Sequence, residues 1–299
     1  MMHIAWRIAK DWTFPIAMAI GALAYTWISR LAFLTSGLIF LMLLLTFCNL
    51  SPRELHFRPE HLKLLIVQLT LVVFTFIIFS AISPVVGQGA LICVLAPTAT
   101  AAAVITGMLG GSVAYITTYL LLINTCVALL APLCFSLIGP HSDMPFWTSL
   151  FLIGKKIVPI LIFPLLLAWL LQKFTPKVHK VLVRYNGASF YLWAISLTIV
   201  TANTVKFLVE QPNPDYRTEI LLAASALTLC ILQFWIGRRI GKGVGDPVSS
   251  GQALGQKNTI LAIWMSQVFL NPVSSVAPAA YVLWQNIINT YQLLKKQEQ

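Results

Sequence analysis

The chain has 299 residues, 58% of them hydrophobic, a mean hydropathy of +0.83, and few charges: 20 Lys+Arg against 9 Asp+Glu. A soluble domain of this size carries roughly 25% charged residues, so the 10% found here is too little to cover a water-facing surface. The composition predicts an all-α polytopic membrane protein, and at about 20 apolar residues per crossing it leaves room for about ten spans and none for a large soluble domain.

In chain order the apolar runs are 12–29, 31–50, 64–82, 88–108, 112–138, 155–173, 188–208, 218–237, 251–270 and 273–294, ten candidate helices. Arg7 and Lys10 ahead of the first run give it a signal-peptide flavour, but the run exceeds a signal h-region of about 7–15 residues and feeds directly into the next. The net charge of +11 does not point to nucleic acid, because the basic residues lie in the gaps between runs instead of forming a stripe on one face. They act as topology signals. Arg7, Lys10, Arg53, Arg58, Lys63, Lys173, Lys177, Lys180, Arg184, Arg238, Arg239, Lys242, Lys295 and Lys296 fall on the side of the termini, and only Arg30, Lys155, Lys156, Lys206 and Arg217 fall opposite. The positive-inside bias predicts a multi-pass membrane protein with both termini cytoplasmic.

The polar stretch Gly139 to Met144 divides the ten runs into five and five. Because five is odd, two related halves would insert with opposite orientation, the inverted-repeat plan of secondary transporters. The expected organisation is a first five-helix repeat over 1–138, a connecting loop over 139–154 and a second repeat over 155–299.

The fourth run of each half is interrupted. In the first half it reads Ala96-Pro97-Thr98-Ala99-Thr100-Ala101-Ala102-Ala103, where proline removes a backbone donor and clashes with the preceding turn. A simple kink, which membrane helices tolerate, would also account for it. In the second half Gly251-Gln252-Ala253-Leu254-Gly255-Gln256-Lys257-Asn258-Thr259 carries amides and a lysine into the bilayer. The alternatives are a long loop from Gly237 to Lys257, which would leave only about twelve apolar residues before Asn271-Pro272, or a Lys257 that snorkels to the interface. An intramembrane ammonium costs several kcal/mol unless paired or hydrated, and no Asp or Glu falls in the interior of any predicted span. Carbonyls, amide oxygens, water or an anionic ligand are the expected partners. Unusual segments at corresponding positions of two halves point to a midplane binding site.

These residues also carry a family resemblance. Phe40-Leu41-Met42 leading to Arg53 and Arg58, Ala96-Pro97-Thr98 through Val104, Gly111, Val113 and Ala114, Ala131-Pro132-Leu133, Ala202-Asn203, and Gly255-Gln256-Lys257-Asn258 together resemble the bile acid:sodium symporter superfamily. The Gly-Gln-Lys-Asn stretch looks like that of a divergent bacterial-type member. The resemblance implies ten helices in panel and core domains, with the fourth and ninth unwound and crossing. It further implies an alternating-access carrier of small organic anions, with sodium held near the unwound segments.

Carried over residue by residue, the resemblance meets departures. Where the symporters have Ser-Asn after the proline turn this chain has Ala102-Ala103, and where they have a glutamate four residues before the conserved glutamine it has Gln252. Alanine offers no side-chain oxygen and Gln252 no charge, so the first sodium site looks lost. The fifth helix supplies Asn124 if counted back from Ala131-Pro132, or Leu120 if counted forward from Gly111. At the second site Gln256 is kept and Gln68 matches the other amide, but Lys257 stands beside Gln256 and would repel a cation. Lys257 is thus expected to replace a sodium ion or to pair with the substrate, with coupling that is proton-linked, weak or absent.

Other signals are weaker. Gly237-Arg238-Arg239-Ile240-Gly241-Lys242-Gly243 has the wrong spacing for a phosphate loop and reads as a loop between spans. Cys48, Cys93, Cys126, Cys134 and Cys230 show no CxxC or Cys/His spacing and read as reduced packing residues. His3, His56, His61, His141 and His179 fall in gaps or at the terminus, so no metal site is expected. Trp12, Trp27, Trp147 and Trp284 lie near span ends, as an interfacial belt requires. A membrane-embedded enzyme would need a carboxylate, His or metal cluster, which the spans lack.

The sequence therefore predicts a non-enzymatic, cofactor-free secondary transporter for a small organic anion, a monomer or weak homodimer in the lipid bilayer. Its expected site is Lys257, Gln256, Asn258, Gln252, Pro97, Thr98, Thr100, Asn124, Gln68 and Asn203. A transporter-derived sensor or scaffold that no longer transports is the alternative.

Overall fold

The structure, a computed structural model, describes residues 13, 15–50, 55–139, 144–185, 187–211 and 214–297. His3, Arg7, Lys10, Trp12, Arg53 and His141 lie outside the described residues, as does most of the polar midpoint. The fold is all-α: the structure is 86% helical, with no strand among the described residues.

After a helical stretch over 15–23, the helices are α1 (Tyr25–Cys48, tightened to 3-10 geometry over Ser29–Leu34), α2 (Pro59–Ser80), α3 (Pro84–Leu95), α4 (Ala101–Met108), α5 (Val113–Ile138) and α6 (Phe146–Phe174). Then come α7 (Pro176–Arg184), α8 (Ala188–Val209), α9 (Tyr216–Lys242), α10 (Pro247–Gly255), α11 (Thr259–Phe269) and α12 (Val276–Gln297), the last preceded by a 3-10 turn at Pro272–Ser275. Six helices, α1, α2, α5, α6, α8 and α9, are each long and apolar enough to cross a bilayer. Their surfaces fit a lipid solvent. Along α2, Ile66, Val73, Phe74, Ile77 and Ile78 are exposed whereas Gln68 and Thr75 are buried, the reverse of a water-soluble helix. These features mark the chain as a membrane protein.

The described chain forms two compact units, residues 1–49 with 164–214 and residues 50–163 with 215–299. In the first, α8 packs against α1, and the 15–23 stretch comes so close to α8 that a Cβ on Gly21 would lie 2.5 Å from the Thr198 carbonyl oxygen. Asn203, half-buried on α8, belongs to this unit.

The second unit holds the remaining candidates. Its helix starts carry recognisable stop and start chemistry. Pro59 opens α2 while the Arg58 N–H donates to His61 Nδ1 at 3.0 Å. The Ser112 hydroxyl caps α5 through Tyr115 N–H, and Asp246 caps α10 through Ser249 N–H with Pro247 at its first position. α9 packs against α10, α12 and α3, and α2 packs against α3.

Several expectations require correction. Gly237 to Lys242 is the last part of α9, not a loop: Gly237 and Gly241 form a small-xxx-small pair. A Cβ on either would fall 2.3 Å from Ser250 O or 2.4 Å from Asp246 O, so the glycines exist to let α9 and α10 touch. Helix α6 begins at Phe146, so Lys155 and Lys156 lie within it as exposed residues. The basic gap after α6 is itself a helix, α7, and contains His179. His61 is fully buried in the first turn of α2, its Nε2 3.1 Å from the Tyr115 carbonyl. With Nδ1 accepting from Arg58, Nε2 carries the proton and donates.

Candidate functional site at two interrupted helices

Both interrupted runs are broken helices. Helix α3 stops at Leu95 and α4 starts at Ala101; α10 stops at Gly255 and α11 starts at Thr259. A helix that stops inside a protein leaves orphan carbonyls at one end and orphan N–H groups at the other, and without water each must find a partner. The two breaks supply partners to each other. Thr98 and Lys257 form an antiparallel bridge, in which Ala99 N–H donates to Gln256 O and Asn258 N–H to Pro97 O, both at 2.8 Å. The Thr98 hydroxyl donates to the Ala253 carbonyl at 2.7 Å, and Asn258 Oδ1 caps α11 by accepting from Leu261 N–H.

The end of α3 is satisfied by side chains. Gln233 donates to Cys93 O. Gln68 donates to Val94 O at 2.8 Å and to Ala96 O at 3.3 Å. Lys257 Nζ also donates to Val94 O, at 3.0 Å, where a helix C-terminus carries partial negative charge. Lys257 is 1% exposed; it does not snorkel, and the segment before it is helix instead of loop. Val94 O is its one acceptor among the described residues, although an ammonium has three donors. No carboxylate pairs with it: Lys206–Glu210 is the one ion pair among the described residues.

The amides are held in two groups, Gln68 with Tyr119 and Gln252 with Asn289 and Gln256. Gln68 Oε1 accepts from the Tyr119 hydroxyl at 2.8 Å. Gln256 Oε1 accepts from Asn289 at 2.6 Å, and Asn289 Oδ1 accepts from Gln252 Nε2 at 2.9 Å. Gln252 Oε1 is buried with no partner. The acceptor oxygens of Gln68 and Gln256, the two amides expected at a sodium site, are thus engaged by protein donors.

Thr100 is half-buried beside the break. Asn124 is buried on α5, its Nδ2 bound to Leu120 O at 2.7 Å and its Oδ1 unpaired. Ala102 is fully buried and brings no side-chain oxygen.

Five contributors, Tyr119, Gln233, Tyr281, Gln285 and Asn289, were not flagged by the sequence. Tyr281 donates to Gly255 O at 2.9 Å and accepts from Gln233, Gln285 accepts from the Lys257 N–H at 3.0 Å, and Asn289 joins Gln252 to Gln256. Gln285, Asn289 and Gln292 follow each other at helical spacing along α12, a polar stripe that a reader of the sequence could have drawn. One described pocket, lined by Met144, Ser149, Leu152, Ile153, Lys156, Val268 and Phe269, includes none of the candidates.

No protein-family model matches the chain, and no curated protein does.

Proposed function

We propose that the protein is a secondary active transporter that carries a small organic anion by alternating access, with its binding site at the two broken helices. The observation that carries this reading is the buried Lys257 ammonium at the pairing of the two breaks, with one protein acceptor and no carboxylate. A transported anion would complete its coordination, and the positive ends of α4 and α11 begin at the same place.

The ten-span, five-plus-five inverted repeat is part of this proposal. It is supported by the position of the breaks, each in the fourth apolar run of its half. The panel and core of the bile acid symporter type are supported by the two compact units, which draw on both halves of the sequence. In this reading both termini are cytoplasmic in a bacterial inner membrane, and the carrier works as a monomer or weak homodimer without a cofactor.

Lys257 takes the part of a bound cation, because Ala102, Ala103 and Gln252 remove sodium ligands and the amide oxygens of Gln68 and Gln256 already accept protein hydrogen bonds. Coupling is therefore proton-linked, weak or absent. The departures at the sodium ligands also favour a second reading, a sensor that binds the anion without carrying it. A thermal-shift screen of organic anions, followed by counterflow in proteoliposomes, tests both. Saturable counterflow of a stabilising anion is expected; binding without exchange would identify a sensor, and sodium-dependent stabilisation would overturn the reading of Lys257.

A further inference from the structure

Helix α7 (Pro176–Arg184) joins two long apolar helices and buries none of its residues. It runs Pro-Lys-Val-His-Lys-Val-Leu-Val-Arg, and at about 100° per residue Lys177, Lys180 and Arg184 fall within one narrow arc while Val178, Val181 and Leu182 fall on another. Val178 and Val181 are 49% and 52% exposed, although α7 also touches α1. Phe174 and Tyr185, at the two ends of α7, are exposed too, as aromatics at a membrane interface are. Thr175 separates α6 from α7, with its N–H still donating to Leu171 O, so α7 begins where α6 ends.

The basic arc has no acidic counterpart. No Asp or Glu occurs between Asp143 and Glu210, and none of the three cations is in an ion pair among the described residues.

We infer that α7 lies in the plane of the bilayer interface, its valines against acyl chains, and that Lys177, Lys180 and Arg184 dock anionic phospholipid headgroups. An apolar arc and a cationic arc on one short helix at the end of a span suit this surface, and a soluble polyanion would leave the valines uncovered.

The test uses the full chain in detergent, offered equal amounts of phosphatidylglycerol and phosphatidylcholine, with bound lipid counted by native mass spectrometry. Wild type should retain phosphatidylglycerol preferentially. Each basic residue near an anionic surface contributes roughly fivefold, so Lys177→Gln/Lys180→Gln/Arg184→Gln should weaken that retention on the order of a hundredfold, whereas Lys155→Gln/Lys156→Gln should not. Lys180→Gln alone, with about a fivefold loss, serves if the triple variant does not purify monodisperse. Equal retention of both lipids, equal loss in the Lys155/Lys156 control, or displacement of phosphatidylglycerol by millimolar inorganic phosphate would overturn the inference. None of these readouts depends on transport.

Discussion

Thr98 and Lys257 face each other across an antiparallel bridge, 159 positions apart in the chain, each standing where a helix has been broken. The bridge answers a problem set by the sequence: Pro97 cannot donate, and a helix interrupted in an apolar interior has backbone groups with no water to take them. Pairing the two breaks satisfies four such groups at once.

The Thr98 hydroxyl fixes that pairing through Ala253 O. Thr98→Val keeps the shape and leaves a buried carbonyl without this donor, so it should destabilise by about 1–3 kcal/mol. Thr98→Ser should stay near wild type. Thermal unfolding in detergent would separate the two, and an unchanged Thr98→Val would show the bond to be dispensable.

At the α9/α10 contact, Gly237→Ala would drive a Cβ to 2.3 Å from Ser250 O. The helices must part, at about 1–3 kcal/mol. Gly37→Ala, on an exposed part of α1 with nothing within 4 Å, should instead be neutral or stabilising by up to about 1 kcal/mol. The pair of unfolding curves checks the close approach directly.

Much of this was legible in the sequence, because an apolar run broken by Pro97 or by Gln256-Lys257-Asn258 has few alternatives to an interrupted helix. Other features were not. Lysines were used as span boundaries, yet Lys155 and Lys156 sit exposed inside α6, since a long helix can carry cations past its apolar window. Gly237 to Lys242 read as a loop because it follows the apolar part of its run, whereas the close packing of Gly237 and Gly241 against α10 keeps it helical. α7 was invisible to a count of apolar residues, being too short and too basic. Which amide met which could not be read, since cross-chain partners such as Gln68 with Val94 or Asn289 with Gln256 depend on how the breaks pair.

Gln252 offers a gain-of-function test. Its Oε1 is buried and unpaired, so Gln252→Glu would bury a negative charge that needs a cation. Wild type should unfold at the same temperature in sodium and in choline. Gln252→Glu should be less stable than wild type in choline and recover in sodium, by about 1.4 kcal/mol once sodium is tenfold above its Kd. A wild-type sodium response would mean that the cation site is intact.

Lys257→Met removes the ammonium and keeps most of the volume. Val94 O retains its bond from Gln68, so the stability cost should stay near the lower end of about 1–3 kcal/mol. Anion binding should fall at least tenfold, as expected for the loss of a buried charge partner worth about 1.4 kcal/mol or more. Folding and binding are thereby separated in one variant.

The most direct measurement is equilibrium binding of the stabilising anion to wild type and to Lys257→Gln, each in sodium and in choline buffers. The account predicts tight, sodium-independent binding by wild type and at least a tenfold loss in Lys257→Gln, with both proteins equally folded. Equal affinity in the two proteins, or wild-type binding that requires sodium, would contradict it.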